Sequence, residues 1–362
     1  MNKVLVVFSS DVPGGAEISL SRMALASFDV SYDLCTLGRY KDWARWLKSQ
    51  GGNPIILGNS DSGFKRPSFI IAMFNLIKRF MNIHYDAVYV CGTRSAFVLR
   101  FILLFFPRTK FVHAIRWNPN TSFLRDRILR IVERWTGFLV DKWICNSESA
   151  KKTLTEKCGI SSERIIVIYN GVEYPETIID ITSRSNTVLT VANVSERKGY
   201  IDYLNTIEKV HLVMPTVEFI FVGRDDMNGK LQVEIKKMGL DGVVRYDGYQ
   251  KDLSLLYSSA SIFVLPSKSS EGCPTSILEA HSFGVPVIAY KVDGIPEIVD
   301  DSVDGYLYDI DNQAMHQGIL NLISNPLLIE SMGAQGRNKV KHKFTVEACA
   351  NYHTDAFLLI CQ

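Results

Sequence analysis

Long apolar runs and metal-type cysteine pairs are missing from this 362-residue sequence. The longest apolar run, Ala96–Phe106, is interrupted by Arg100 and falls far below the ~20 residues that cross a bilayer. The seven cysteines form no C-x-x-C pair, which is typical of reduced core residues in a reducing compartment. Met1–Phe8 is too short for the apolar region of a signal peptide and has no cleavage site. We therefore expect a cytoplasmic protein.

A strong excess of charge is also absent, although the charge is unevenly distributed. The formal net charge of +2 argues against a nucleic-acid partner. Residues 1–173 carry 24 Lys and Arg against 14 Asp and Glu, whereas residues 174–362 carry 16 against 24. A basic first half predicts an anionic partner, either anionic lipid or a phosphorylated acceptor. A chance surface asymmetry would give the same counts.

Short apolar runs alternate with stretches of helical spacing along the chain, beginning with the buried-strand pattern Val4–Phe8. This alternation predicts the α/β class, with two doubly wound, Rossmann-like domains built on parallel sheets. Glu173–Asn186 has no apolar periodicity and is predicted to be a linker. We place the domains at 1–173 and 174–343, and we expect 344–362 to be a C-terminal helix that packs back on the first domain.

Glu271–Ala280 carries the clearest chemical signal. It follows the apolar run Ile262–Leu265, so a buried strand should end in a loop, and a helix should start near Pro274–Ser276. The first N–H groups of such a helix have no internal acceptor and form an anion site. Glu271 and Glu279 would frame that site, and carboxylates accept hydrogen bonds from sugar hydroxyls. The arrangement suits a sugar–diphosphate–nucleoside.

A structural alternative exists for the same ten residues. Ser276 and Glu279 also have the spacing of a capping box, in which Glu279 would fold back onto the start of its own helix. Glu271 would then be a solvated loop residue.

Two further turns contain candidate residues. Arg197 and Lys198 lie between a strand and a helix, where they could bind a diphosphate, although most such pairs are solvated surface charge. His113 lies near the carboxyl end of the strand Lys110–Ile115, where functional residues of parallel sheets gather. A single histidine is more often a structural residue.

The remaining motifs are weaker. The loop Ser9–Glu17 is glycine-rich without being G-x-G-x-x-G, so it is either a phosphate-facing turn or a plain βα turn. Ser68–Met81 is apolar with basic ends and could lie on a membrane surface or pack as an ordinary amphipathic helix. Asp225-Asp226 is predicted to be a loop, and no D-x-D motif suited to a divalent cation occurs between strands.

Together these motifs resemble the retaining glycosyltransferases of family 4, which have the GT-B fold of two Rossmann-like domains whose sheets face a central cleft. The central match is the pair Glu271 and Glu279 with seven residues between them. The surrounding matches are Gly248-Tyr249-Gln250, Tyr257, Pro266-Ser267, Gly272-Cys273-Pro274, Gly284–Ala289, Gly294–Val299 and Asp304-Gly305. The first domain matches more loosely, through Gly14–Glu17, His113, Asn146-Ser147 and Asn170–Val172.

The resemblance implies roles in catalysis and donor binding. Glu271 would bind hydroxyls of the transferred sugar, Lys198 would neutralise the leaving phosphate, and His113 would lie beside the reacting sugar. Glu279 would bind the ribose. The implied donor-binding residues are Gly15, Asn193, Arg197, Lys198, Tyr249, Gln250, Glu271, Cys273, Pro274, Thr275, Ser276, Ile277 and Glu279. Of these, the amides of Ser276 and Ile277 would take the diphosphate, and Tyr249 and Gln250 would edge the base pocket.

Two positions depart from the family pattern. Asn193 stands where the family often has Arg, and Arg197 is the candidate replacement. Asp293 stands where the family usually has Gly, which leaves the choice of sugar open.

The expected protein is a retaining glycosyltransferase without metal or cofactor that uses a UDP-linked rather than a GDP-linked sugar. Its acceptor would be a hydroxyl of a glycan or lipid-linked molecule in polysaccharide or glycolipid biosynthesis, reached at the inner face of an anionic membrane. The first domain would hold the acceptor and the second the nucleotide sugar. The alternatives are a UDP-sugar 2-epimerase of the same architecture and a non-catalytic partner subunit that binds nucleotide sugar.

Overall fold

The computed structural model describes residues 1–8, 14–38, 41–58, 66–178, 184, 186–310 and 314–362 of the chain, without the side chains of residues 66 and 67. Most of the glycine-rich turn predicted at Ser9–Glu17 lies outside these residues, as do Lys65 and part of the predicted linker. The chain forms two compact units. One contains Met1–Gly171 together with Val346–Gln362, and the other contains Val172–Thr345.

The first unit contains a parallel sheet with helices on both faces. Its strands are β1 (Asn2–Phe8), β2 (Val30–Thr36), β3 (Ile55–Ile56), β4 (Ala87–Cys91), β5 (Lys110–Ile115), β6 (Lys142–Cys145) and β7 (Ile165–Val167). Its helices up to the end of the sheet are α1 (Gly15–Ala26), α2 (Lys41–Ser49), α3 (Arg66–Asn82), α4 (Thr93–Ile102), α5 (Leu124–Thr136) and α6 (Glu148–Cys158). Within the described residues the strand order is β3-β2-β1-β4-β5-β6-β7.

The second unit repeats this architecture. Its strands are β8 (Thr187–Val191), β9 (Glu218–Val222), β10 (Val244–Tyr246), β11 (Ile262–Leu265), β12 (Val287–Tyr290) and β13 (Gly305–Tyr308). Its helices are α7 (Tyr200–Val213), α8 (Lys230–Lys237), α9 (Ser254–Ser259), α10 (Thr275–Ser282), α11 (Met315–Ile323) and α12 (Pro326–Lys343). The described strands pair in parallel in the order β10-β9-β8-β11-β12-β13.

The last helix, α13 (Val346–Ile360), belongs to the first unit and packs on α1. Phe357 on α13 is fully buried, with its ring 5.4 Å from that of Tyr89 and 5.9 Å from that of Tyr32. Aromatic pairs at such distances add to the free energy of apolar burial. The C-terminal segment is therefore part of the core of the first unit.

The apolar runs of the sequence are strands buried on both faces. In β1, Leu5 and Val7 pack in one core with side chains of α3, α4 and α5. Val4 and Val6 pack in a second core with α1, α2 and α13. Two cores on one sheet require apolar residues at every position, which explains why the strand lacks alternation. The predicted α/β class with two parallel-sheet, Rossmann-like domains is confirmed.

Gly199 fixes the turn between β8 and α7. Its backbone is left-handed, with φ 72°, and a Cβ there would clash with the carbonyl oxygen of Pro266, just after β11. The N–H of Lys268 donates to the carbonyl of Arg197 at 2.8 Å. The two turns that follow β8 and β11 are thus in direct backbone contact, which only glycine at position 199 permits.

We expect Gly199→Ala to lower the free energy of unfolding by about 2–5 kcal/mol, because left-handed strain and overpacking add. Gly229→Ala is the matched control, since Gly229 has φ 83° but a Cβ at this position would have no neighbouring atom within 4 Å. It should cost only the left-handed strain of about 1–2 kcal/mol. Urea unfolding of both variants measures the difference. Equal decreases in the free energy of unfolding would contradict the close contact between Gly199 and Pro266.

Candidate functional site

The centre of the candidate site is a buried ion pair. Lys198 Nζ lies 2.5 Å from Glu271 Oε1, and Arg197 Nη1 lies 3.3 Å from the same oxygen. Lys198 and Glu271 are 8% and 5% exposed. The turn after β8 supplies the cations, and the loop between β11 and α10 supplies the carboxylate. Both turns follow the carboxyl ends of neighbouring strands, the edge at which parallel sheets bind ligands.

Charge and burial act against each other in this pair. Burial would raise the pKa of the Glu271 carboxyl, but Lys198 and Arg197 outweigh it and hold the pKa below its usual value. Burial lowers the pKa of the Lys198 ammonium, and Glu271 only partly offsets this. We take Glu271 to be ionised, since two cations face it, and Lys198 to be a poorly hydrated cation. Such a cation interacts strongly with a further anion.

The helix α10 begins beside this pair. Its N-cap is Pro274, and no side chain caps it. Ser276 therefore lies inside the first turn, and the capping-box alternative does not describe this helix. The N–H of Ile277 donates to the carbonyl of Pro274 at 3.2 Å. Because the first helical amides have no acceptor one turn earlier, Thr275 and Ser276 present the N–H groups best placed for an anion.

Glu279 lies one turn into α10 and is half-buried. Its Oε2 accepts a hydrogen bond from the Tyr257 hydroxyl at 3.0 Å, and the Tyr257 ring stacks on Phe283 at 5.7 Å. Burial raises the pKa of Tyr257 well above its usual value, and the neighbouring Glu279 carboxylate raises it further, so the hydroxyl stays a donor. The tyrosine thus orients the Glu279 carboxylate.

Asp293 holds the loop that carries Glu271 through a hydrogen bond to its backbone. The Glu271 N–H donates to Asp293 Oδ2 at 3.1 Å, and Asp293 itself has a left-handed backbone with φ 50°. Cys273, which follows Glu271, is buried, while Pro274 is half-buried. Asp293, the departure from the family pattern, therefore binds the backbone of the loop that carries Glu271.

Three other predicted donor-binding residues lie at the surface of the second unit. Asn193 is exposed in the turn after β8, and Tyr249 is 73% exposed after β10. Gln250 is exposed, and its Nε2 donates to the carbonyl of Asp247 at 2.8 Å. Arg197 contacts Glu271, as described above, and its role as a replacement for the family's usual Arg at position 193 stays a prediction.

The predicted Asp225-Asp226 loop has a structural use. Asp225 accepts hydrogen bonds from the N–H groups of Met227 and Gly229 at 2.8 and 2.6 Å, just before α8. Asp226 pairs with Arg224. Across the described residues, no group of three or more His, Cys, Asp or Glu side chains is arranged to hold a metal ion.

The two predicted residues of the first unit lie in different environments. Gly15 is exposed at the start of α1. His113 is fully buried in the middle of β5, with Nδ1 3.1 Å from Glu133 Oε1. Arg100 and the Trp143 indole also contact Glu133, each at 2.8 Å. This geometry favours a structural role for His113, and its catalytic role stays a prediction.

Sequence reasoning misses two residues. Tyr257 matches the family pattern without an implied role, because its contact with Glu279 spans α9 and α10. Arg116 stands out in the sequence only as a neighbour of His113, yet it is 8% exposed at the carboxyl end of β5. The sequence signal that could have identified Arg116 is its position as a basic residue directly after an apolar strand.

Known proteins resemble both units. The family described as glycosyl transferases group 1 matches residues 177–339, and glycosyltransferase family 4 matches residues 13–174. An uncharacterized glycosyltransferase of Haemophilus influenzae is 27% identical over 62% of this chain and 64% of its own length. An amylovoran biosynthesis glycosyltransferase of Erwinia amylovora is 27% identical over 51% of this chain and 48% of its own. The matches thus span about half to two thirds of these relatives.

Similar structures cover the whole chain. An Anabaena protein crystallised with UDP and glucose, HepE, superposes with a TM-score of 0.81 at 20% identity, over 98% of this chain and 99% of its own. A sucrose-phosphate synthase of Thermosynechococcus elongatus gives 0.80 at 18% identity, over 99% of each chain. These likenesses show the fold. The two family matches, over residues 13–174 and 177–339, show that the chain belongs to the glycosyltransferases, here with the GT-B fold.

Proposed function

We propose that this protein is a retaining glycosyltransferase that moves a sugar from a UDP-sugar to a hydroxyl of a glycan or lipid-linked acceptor. The observation that carries the proposal is the buried Lys198–Glu271 pair beside the open start of α10. The second unit thus combines a cation, Lys198, with the free amides at the start of α10 and the carboxylates of Glu271 and Glu279. This set matches the phosphates, ribose and sugar of a nucleotide sugar, one group for each part.

In the proposed mechanism Lys198 changes partner. Without donor it pairs with Glu271. When the diphosphate enters, Lys198 turns to the distal phosphate, and Glu271 is released to accept hydroxyls of the transferred sugar. As the bond between sugar and phosphate breaks, negative charge grows on the phosphate oxygen, and Lys198 stabilises it in a water-poor site.

Retention follows from a front-face reaction in this proposal. The acceptor hydroxyl attacks from the side on which the phosphate leaves, and the leaving phosphate oxygen takes the hydroxyl proton. No protein nucleophile is needed, and the carboxylate-spacing rule of glycoside hydrolases does not apply. Arg197 would supply the second positive charge that Asn193 does not.

The relatives support the choice of donor and acceptor. An Escherichia coli relative, 22% identical over 76% of this chain and 75% of its own, is named a UDP-Gal:alpha-D-GlcNAc-diphosphoundecaprenol alpha-1,3-galactosyltransferase. A Rhizobium meliloti relative is a lipopolysaccharide core biosynthesis glycosyltransferase. We propose that this chain likewise acts in polysaccharide or glycolipid biosynthesis.

The two glutamates should fail in different ways. Glu279 is assigned to the ribose, whose contacts change little during the reaction, so Glu279→Gln should mainly weaken UDP binding and raise KM. Glu271 is assigned to the transferred sugar, which gains positive charge in the transition state. Glu271→Gln should therefore lower kcat by about 10²-fold or more, with a smaller effect on UDP affinity.

The measurements are steady-state turnover, UDP calorimetry and a melting curve for each variant. Glu196→Gln is the control, because Glu196 lies on the same turn as Lys198 but is exposed and pairs with Lys230 in a solvated contact. It should leave turnover, UDP affinity and melting temperature unchanged. Parent-like turnover and UDP affinity in both site variants would remove the roles given to the two carboxylates.

We further propose that the first unit docks on an anionic membrane through α5, whose polarity is inverted. The side chains of Asp126, Leu129 and Glu133 face inward and are fully buried. The exposed apolar side chains lie on the opposite face at helical spacing: Leu124, Ile128, Ile131, Trp135 and, just beyond the helix, Phe138. A row of exposed large apolar residues marks an interaction surface.

Charge and neighbouring helices favour a bilayer as the occupant. Arg127 and Arg134 are exposed residues of α5 that lie beside the apolar row, about two helical turns apart. On α3, Ile70, Phe74 and Met81 are 67%, 68% and 75% exposed. Apolar rows with basic flanks are typical of helices that lie in a membrane interface. No described helix is both long and apolar enough to cross a membrane.

Ile131→Ser with Trp135→Ser should reduce binding to anionic vesicles by about tenfold or more, because both side chains leave the interface. The matched control is Leu212→Ser with Val213→Ser, which removes apolar residues 78% and 64% exposed in the second unit. Sedimentation with vesicles measures binding. Parent binding should weaken as salt rises, because exposed charges are screened within ~8 Å at physiological ionic strength. Equal binding to neutral and anionic vesicles would contradict the electrostatic account.

A further inference from the structure

Arg116 is a buried cation whose hydrogen-bonding capacity is largely unused. It follows β5 directly and is 8% exposed. Its Nη2 donates to Asn170 Oδ1. Its Nε and Nη1 are enclosed and have no hydrogen-bond partner. Within the part of the chain that the structure describes, Arg116 forms no ion pair with any carboxylate.

Arg100 shows what a satisfied buried arginine looks like in the same unit. It is 1% exposed, and each of its three nitrogens has a partner. Nε donates to the Ala96 carbonyl at 3.1 Å, Nη1 to Thr136 at 2.6 Å, and Nη2 to Glu133 at 2.8 Å. A buried guanidinium is stable when paired in this way and costly when it is not. Among the described residues, Arg116 therefore has unused capacity for a further anion.

The surroundings of Arg116 form a polar cluster at the carboxyl edge of the first sheet. Asn146, directly after β6, is 1% exposed, and its Nδ2 donates to the Arg116 carbonyl at 3.1 Å, while its Oδ1 has no partner. Asn170 follows β7 and also accepts from Ser19 on α1 at 3.3 Å. Segments after three neighbouring strands thus meet at Arg116, at the edge where parallel sheets bind ligands.

Two titratable groups of α13 that Arg116 influences do not supply the missing charge. His353 on α13 is buried, and burial, assisted by Arg116, lowers its pKa to about 3. Burial raises the pKa of Cys349 to about 11, although Arg116 opposes this. Both groups are neutral at physiological pH. Neither group therefore offsets the positive charge of Arg116.

We propose that Arg116 binds a phosphoryl group of the acceptor and so selects acceptors that carry one. This proposal rests on the proposed function and names the chemical class of its acceptor. Arginine suits oxyanions because its planar group directs several donors at one set of oxygens. The excess of Lys and Arg over Asp and Glu in residues 1–173 would attract such an acceptor. The phosphoryl group is bound and not changed.

The test is calorimetric titration of inorganic pyrophosphate into the full chain after saturation with UDP, which occupies the anion site of the second unit. We expect binding to the parent and about tenfold or more weaker binding to Arg116→Gln. Arg116→Lys should fall between them, which guards against misfolding of the first variant. Farnesyl diphosphate in a second titration separates a lipid-borne phosphoryl group, which should bind more tightly, from a water-soluble one.

Two controls separate binding from structure. Asn170→Ala removes the hydrogen-bond acceptor of Arg116 Nη2 but not the charge of Arg116. It should therefore lower the melting temperature and keep pyrophosphate binding within a few-fold of the parent. Arg127→Gln removes an exposed charge and should change neither. Equal pyrophosphate affinity in the parent and Arg116→Gln would overturn the proposal. Binding of glucuronate but not pyrophosphate would overturn the phosphoryl assignment. Failure of the parent to bind UDP would instead contradict the proposed donor, and the Arg116 comparison would still be interpretable.

Discussion

The candidate site of the second unit is built around the ion pair between Lys198 and Glu271. Two opposite charges at the edge of a sheet are stable only if neighbouring backbone holds them in register. Gly199 provides this on one side, because its turn contacts Pro266. Asp293 provides it on the other, because it binds the backbone of Glu271. The result is a poorly hydrated lysine, whose carboxylate partner is exchanged for a phosphate in the proposed mechanism.

The first unit uses buried charge differently. Glu133 binds Arg100, His113 and Trp143 beneath the sheet. Burial would raise the pKa of Glu133, but the adjacent His113 and Arg100 lower it to about 2. This network fixes the inward face of α5 as polar and leaves the apolar face outside. Among the described residues Arg116 has no such carboxylate, so it contrasts with the fully bonded Arg100.

Much of the fold was predictable, since strands buried on both faces must be continuously apolar, as in Val4–Phe8. The start of α10 was also predictable, because Pro274 and the preceding loop mark it. Side-chain direction was not predictable. His113 and Arg116 lie three residues apart in sequence, and only the packing of α5 and α13 decides which is fully enclosed with Glu133. The inverted face of α5 was equally hidden, because the partners of its buried Glu133 come from other elements.

The central claim is that Lys198 leaves Glu271 for the phosphate of the donor, and UDP calorimetry on Lys198→Met tests it most directly. Lys268→Met is the control, since Lys268 lies in the adjoining turn but is more exposed and pairs with Asp202. The account predicts that UDP affinity falls about tenfold or more in Lys198→Met and stays within twofold in Lys268→Met. Unchanged UDP affinity in a folded Lys198→Met variant would contradict it.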